Sequence, residues 1–191
     1  MKYKNEVFTG DELRGQEFTD CQFSHCKFIG ANLRFTSFTK CVFEECILSS
    51  SVFDITSFSG CFFPNSNLSN IDWTEAEIKK CNFTKSILKN SVFQELKAGS
   101  KNISKSFSLS DSIFEESDLS ESIFTLCDLR KVNFQKANLE NVVFNKCNLS
   151  EADLTGADIN GADFTTAKIY KTALDIDGFI TFGNSRGFTF K

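Results

Sequence analysis

Large apolar residues fall on every fifth position for most of the chain. The beat reads Phe8, Leu13, Phe18, Phe23, Phe28, Leu33, Phe38, Phe43, Leu48, Phe53, Phe58, Phe63, Leu68, Trp73, Ile78, Phe83, Leu88 and Phe93. It resumes, one residue out of phase, from Leu109 to Leu174. A period of five fits neither the helical repeat nor the alternation of a strand. A helix would smear these residues around its circumference, and a straight strand would send successive ones to opposite faces. Each pentad must therefore be a unit that turns a corner. Two residues before most of the large ones stands a small one, such as Cys26, Ala31, Thr36, Cys41, Ser112, Ser117, Ala152 and Ala157. Positions two apart on an extended segment share a side, so the large and the small residue both point inward. The other three positions are mostly polar turn formers and face solvent.

The length of one lap is also written in the chain. Cys21-x-Phe23, Cys41-x-Phe43, Cys61-x-Phe63 and Cys81-x-Phe83 recur at a spacing of twenty, and so do the pairs Cys26/Cys46 and Cys127/Cys147. Like residues stack when laps lie directly above one another, so four pentads close one lap. The pattern predicts an all-β, four-sided parallel β-helix of 20 residues per coil and about eight coils. At about 4.8 Å per lap the rod is roughly 40 Å long. A single domain spans 1–191, divided into an N-terminal cap (1–7, with Tyr3 in phase as a start for the first coil), a first arm (8–93), an interruption (94–107), a second arm (108–174) and a C-terminal cap (175–191). Pro64 is expected at a corner, where its missing N–H matters less.

The interruption carries Lys97, Lys101 and Lys105, and sixteen residues separate Phe93 from Leu109. Two readings are open: a degenerate coil with a one-residue bulge, or a projecting loop of six or eleven residues. The tail holds Phe179, Ile180, Phe182, Phe188 and Phe190, too apolar for a free end. Gly178, Gly183 and Gly187 leave it no helical period, so a cap of short strands is expected.

Composition sharpens this picture. There are 23 Phe against 2 Tyr and 1 Trp, a demand for rings without a polar handle, and hence for burial. The net charge of −4 and the lack of a basic patch exclude direct nucleic-acid binding by counterion release. The opening residues carry no signal-peptide run and no stretch reaches membrane-span length, so a soluble cytoplasmic protein without membrane contact is expected. All eight Cys sit two residues before a beat residue, a regularity that neither a disulfide framework nor a zinc site requires. They read as reduced structural thiols filling small inward positions. His25 is the only histidine and falls at an exposed corner, so no nucleophile–base constellation is in view. No enzyme, metal or cofactor is expected.

The stretch Ala152-Asp153-Leu154-Thr155-Gly156-Ala157-Asp158-Ile159-Asn160-Gly161-Ala162-Asp163-Phe164, with Ala31-Asn32-Leu33 and Ala137-Asn138-Leu139, resembles the Ala-(Asp/Asn)-(Leu/Phe)-x-x motif of pentapeptide-repeat proteins. The resemblance covers about 8–174 and implies a right-handed quadrilateral β-helix. In the quinolone-resistance (Qnr) branch a loop projects from the rod at a position similar to 94–107. That branch implies a DNA mimic that binds DNA gyrase or topoisomerase IV and protects it from quinolones or toxins. It also implies a homodimer formed through the C-terminal segment. Candidate partner-binding residues on this reading are the acidic Asp111, Glu115, Glu116, Asp118 and Glu121, with Lys97, Lys101 and Lys105. Alternating-sign files such as Asp111, Lys131, Glu151 and Lys171, and the pairs Glu116–Lys136 and Asp20–Lys40, weigh against a continuous negative stripe. The alternative is a structural or adaptor rod that binds a protein through exposed apolar positions: Val42 and Phe62 on one outer face, Phe35 and Ile55 on a corner.

Overall fold

The computed structural model describes residues 1–94, 107–189 and 191. The pentads fold as the beat predicts, into a parallel β-solenoid with four faces. Each face is a ladder of short strands and single bridges, named here by its first inward residue. On the Tyr3 face the outward file runs Lys2, Gln22, Val42, Phe62, Asn82, Ile113, Asn133, Asp153, Ala173. On the Phe8 face it runs Val7, Lys27, Ile47, Asn67, Ile87, Asp118, Asn138, Asp158. The Leu13 face presents Asn32 and Val52, then Asp72, Val92, Ile123, Val143 and Asp163. The Phe18 face presents Glu17, Ser37, Ser57 and Glu77, then Ser108, Asp128, Asn148 and Lys168. Tyr3 pairs with Phe23 in register, so the first lap begins at the very start of the chain, inside the segment expected to cap it.

The core is a column of stacked rings. Phe23, Phe43, Phe63, Phe83 and Phe114 lie face to face at centroid spacings of 4.8–4.9 Å. Neighbouring files meet edge to face, as Phe38 does with Phe43 at 73°. Both arrangements suit the ring quadrupole. Trp73 takes its place in such a file, between Phe53 and Phe93. Its indole Nε1 is buried there without a hydrogen-bond partner.

Corners are made by the residue two after each beat position, which adopts φ > 0 except at Glu75 and Thr166 among the described residues. Gly or Asn often stands there (Gly10, Gly60, Asn65, Asn70, Asn90), as that conformation favours. Phe63-Pro64-Asn65-Ser66 shows the logic. The Ser66 N–H donates to the Phe63 carbonyl, Asn65 has φ of 54°, and Pro64 fills the second position that type II turns favour.

Across the interruption the ladder advances by 31 residues where every other lap advances by 20: Phe93 pairs with Phe124, Asn82 with Ile113, Ile87 with Asp118. The surplus over one lap is thus eleven residues (31 − 20), and a one-residue bulge, which would place Phe93 opposite Phe114, is ruled out. Gln94 and Phe107, the ends of the interruption, belong to the strands Val92–Gln94 and Phe107–Ser108. Phe107 occupies an inward position that mostly holds small residues elsewhere. It lies edge-on to Phe93, at 6.3 Å. The path between Gln94 and Phe107 lies outside the described residues.

The tail departs from expectation. It is a helix, Ile176–Ser185, not short strands. Asp175 is its N-cap, one carboxylate oxygen accepting from the Gly178 N–H at 2.8 Å. The other oxygen accepts from the Gly156 N–H at 2.8 Å. Elsewhere the corner N–H reaches the carbonyl of the following lap, as Lys136 does to Thr155. For Gly156 the matching carbonyl is that of Asp175, which instead accepts from the Phe179 N–H of the helix, and the Asp175 carboxylate takes its place. Gly178 is buried against Leu174, whose Cδ2 a Cβ there would meet at 3.0 Å. Phe182 sits edge-on to Phe164 at 5.9 Å and closes the ring column.

Candidate functional site

The inward small position does more than fill space. At many of these positions a Ser, Thr or Cys side chain donates to the carbonyl of a beat residue one lap below, 23 residues back. Thr36 reaches Leu13 (2.7 Å), Ser51 reaches Phe28 (2.6 Å) and Ser66 reaches Phe43 (2.6 Å). Cys41, Cys46, Cys61 and Cys147 do the same to Phe18, Phe23, Phe38 and Phe124 at 3.3–3.4 Å. The thiols expected as apolar fillers are therefore weak donors as well. The signal was present in the free exchange of Cys with Ser and Thr at this one position. Burial pushes the Cys46 thiol up to about 12, which leaves it protonated and a poor nucleophile. All eight cysteines are free and buried. Among the described residues no group of three or more His, Cys, Asp or Glu is placed to hold a metal ion. No helix there is long and apolar enough to cross a membrane.

The outward Asp or Asn before each beat residue is equally occupied. Its Oδ1 accepts from the N–H two residues on, as in Asp118 to Ser120 (3.0 Å), Asn133 to Gln135 (2.8 Å) and Asp163 to Thr165 (2.8 Å). This side-chain turn explains why acidic or amide residues recur there. At Asp128 the Arg130 guanidinium adds two bonds of 2.7–2.8 Å and holds the carboxyl below its usual range.

The acidic candidates are close in sequence but not in space. Because each pentad turns a corner, Asp111, Glu116 and Glu121 stand on three successive corners of one lap, each with φ > 0. Glu116 lies between Lys85 (3.6 Å) and Lys136 (3.9 Å), as the Glu116–Lys136 pairing predicts, and Glu121 pairs with Lys89 at 3.1 Å. Asp118 is tied to its own turn, and Glu115 is half-buried with its carbonyl accepting from the Lys85 N–H. The file Asp111, Lys131, Glu151, Lys171 exists, yet among the described residues it holds no ion pair within 4 Å, and neither do Asp20 and Lys40. Lys97, Lys101 and Lys105 lie outside the described residues.

The apolar candidates are where the pattern places them. Val42 and Phe62 are bridged neighbours on the Tyr3 face, Val42 half-buried and Phe62 49% exposed. Phe35 and Ile55 follow one another on the corner between the Leu13 and Phe18 faces, 50% and 51% exposed, with φ of 63° and 51°. Sequence reasoning missed their surroundings: the Arg34 and Arg14 guanidinium carbons lie 5.1 and 6.0 Å from the Phe35 ring centroid. Also missed was the apolar end of the rod. There Ile176, Phe179 and Phe188 are exposed, and Phe179, Phe182 and Phe188 line a recess of about 300 Å³.

The chain aligns end to end with QnrB1, a plasmid-mediated fluoroquinolone resistance protein, at 18% identity over 100% of this chain and 99% of that one, TM-score 0.49. It also aligns with HetL, a pentapeptide repeat protein involved in heterocyst differentiation regulation from the cyanobacterium Nostoc sp. strain PCC 7120, at 16% identity over 87% and 86%, TM-score 0.45. A third match is a pentapeptide repeat protein of the Arabidopsis thaliana thylakoid lumen, at 17% identity over 90% and 77%, TM-score 0.30. No curated protein matches the sequence. The profile of the pentapeptide repeat region matches residues 16–93 and 105–174, and with that the chain belongs to the pentapeptide-repeat family.

Proposed function

We propose that this protein acts in the cytoplasm by binding another protein along the side of the rod, without catalysis. The observation that carries the reading is the set of large apolar side chains held outside a core that is already filled: Phe62 beside Val42, and Phe35 beside Ile55. Such patches mark contact sites. The experiment is affinity capture with the wild-type chain and two double variants, Val42→Thr/Phe62→Asn and Phe35→Asn/Ile55→Asn. A partner retained by the wild type and lost from at least one folded variant supports the reading. A partner held equally by both variants removes it.

A second reading is favoured by the acidic balance of 25 carboxylates to 21 bases: a duplex mimic for DNA gyrase or topoisomerase IV that confers protection from quinolones or toxins. Glu116 and Glu121, neutralised by Lys85, Lys136 and Lys89, argue against it. In a supercoiling assay a mimic inhibits the enzyme at stoichiometric ratio or protects it from a quinolone, and Glu115→Lys/Glu116→Lys/Glu121→Lys abolishes the effect. Absence of both effects retires the idea. If Lys97, Lys101 and Lys105 contact the same enzyme, their joint replacement by Gln weakens that effect. The exposed Ile176, Phe179 and Phe188 at the C-terminal end suit pairing of two rods. Light scattering should then report a dimer that Phe179→Asp/Phe188→Asp converts to monomer.

A further inference from the structure

We propose that the corner between the Leu13 and Phe18 faces is the docking edge, and that its partner is a polypeptide segment combining carboxylates with a large apolar side chain; this rests on the protein-binding reading above. Nearly every corner of the rod is turned by a residue with φ > 0, Glu75 and Thr166 being the exceptions among the described residues. Elsewhere, among the described residues, the position holds Gly, Asn or another polar or charged side chain. The apolar ones are Phe35, Ile55 and Leu126, and all three belong to this one corner, whose file runs Gly15, Phe35, Ile55, Glu75, then Leu126 and Lys146. A β-branched residue is the least suited to that conformation. Half-exposed, Phe35 and Ile55 gain only part of what burial offers. The fold therefore has no use of its own for them at a place where Gly or Asn is better.

Charge completes the edge. Two guanidinium groups flank the Phe35 ring, and they differ in what they already hold. Arg14 reaches Asp11 at 3.7 Å. Arg34 has no carboxylate within 4 Å among the described residues, although Asp54 follows it in the same file, and its Nε is buried without an acceptor. The buried Nε stays out of a partner's reach, but the half-buried side chain leaves its two terminal nitrogens to take a carboxylate in bidentate fashion beside the ring. Val52, 43% exposed on the adjoining face, extends the apolar surface. A ring between arginines also suits a stacked base, but a phosphodiester carries a charge at every nucleotide past Asp11, Asp54 and Glu75, whereas a peptide can set a single carboxylate at Arg34 and keep its other contacts apolar.

The test uses the full chain against a displayed random-peptide library, counter-selected on the Phe35→Asn/Ile55→Asn variant. Enriched sequences should pair Asp or Glu with Phe, Trp or Leu. Their synthetic forms should bind the wild type at least tenfold tighter than the double variant or Arg34→Gln, and a single-stranded oligonucleotide should not compete. The double variant should also melt higher, by about 2–4 °C for each strained corner relieved. Peptides held equally by wild type and double variant overturn this edge while leaving the protein-binding reading in place. Peptides held by neither overturn both. Basic enriched sequences, competition by the oligonucleotide, or a lower midpoint for the double variant each overturn the proposal as well.

Discussion

At the scale of single residues, the inward small position is a hydrogen-bonding site, and that decides how it tolerates change. Cys46→Ser keeps a donor to the Phe23 carbonyl, whereas Cys46→Ala removes it and leaves a void. Expected destabilisation is about 1–3 kcal/mol for the alanine and clearly less for the serine, read from denaturant midpoints. Acid sensitivity is local too. The Asp128 carboxyl is held low first by the hydrogen bonds from Arg130, and Asp163 first by that from Thr165. A folded-state value below the unfolded one contributes stability that is present above about pH 4 and lost as pH falls through the folded value. Melting curves below pH 4 should therefore drop, and Asp128→Asn should flatten part of that drop while lowering the midpoint at neutral pH. Of all this, the sequence disclosed only that the position is small and inward. The exchange of Cys with Ser and Thr hinted at a donor, but Cys reads as apolar, and the acceptor was identified only with the carbonyl 23 residues back in place.

At the scale of elements, laps were legible and the cap was not. The beat announces a lap because every inward residue obeys one rule twenty residues apart. The helix Ile176–Ser185 follows no such rule. Its glycines hide the period, and what holds it is tertiary: the Asp175 cap, Gly178 against Leu174, and Phe182 over Phe164. Asp175→Ala should cost about 1–2 kcal/mol in cap stability, since it orphans the Gly178 and Gly156 donors together. Hydrogen exchange should quicken first in 176–185 and at Gly156, with the first laps unaffected. Exchange that quickened evenly along the rod would mean the helix is no separate unit. The acidic run 111–121 misled for a related reason: adjacency in sequence becomes separation around the rod once each pentad turns a corner.

For the whole molecule, the solenoid touches itself only lap to lap, so energetic effects should stay near their origin. Phe63→Ala, in the middle of the ring column, should cost about 3–5 kcal/mol, with exchange rising most in the laps of Phe43 and Phe83, its stacked neighbours. The register jump of 31 belongs to this scale. Excising the eleven surplus residues between Gln94 and Phe107 should leave circular dichroism unchanged and shift the melting midpoint by only a few degrees, because Phe93 then meets Phe124 through a normal lap.

That seam has a wider implication. Since the ladder picks up in perfect phase on its far side, the scaffold is blind to what is spliced in there. Foreign sequence grafted at that point would be displayed at a fixed height on a stiff support, and natural drift in length among kindred chains should gather at such ports while the walls keep their count.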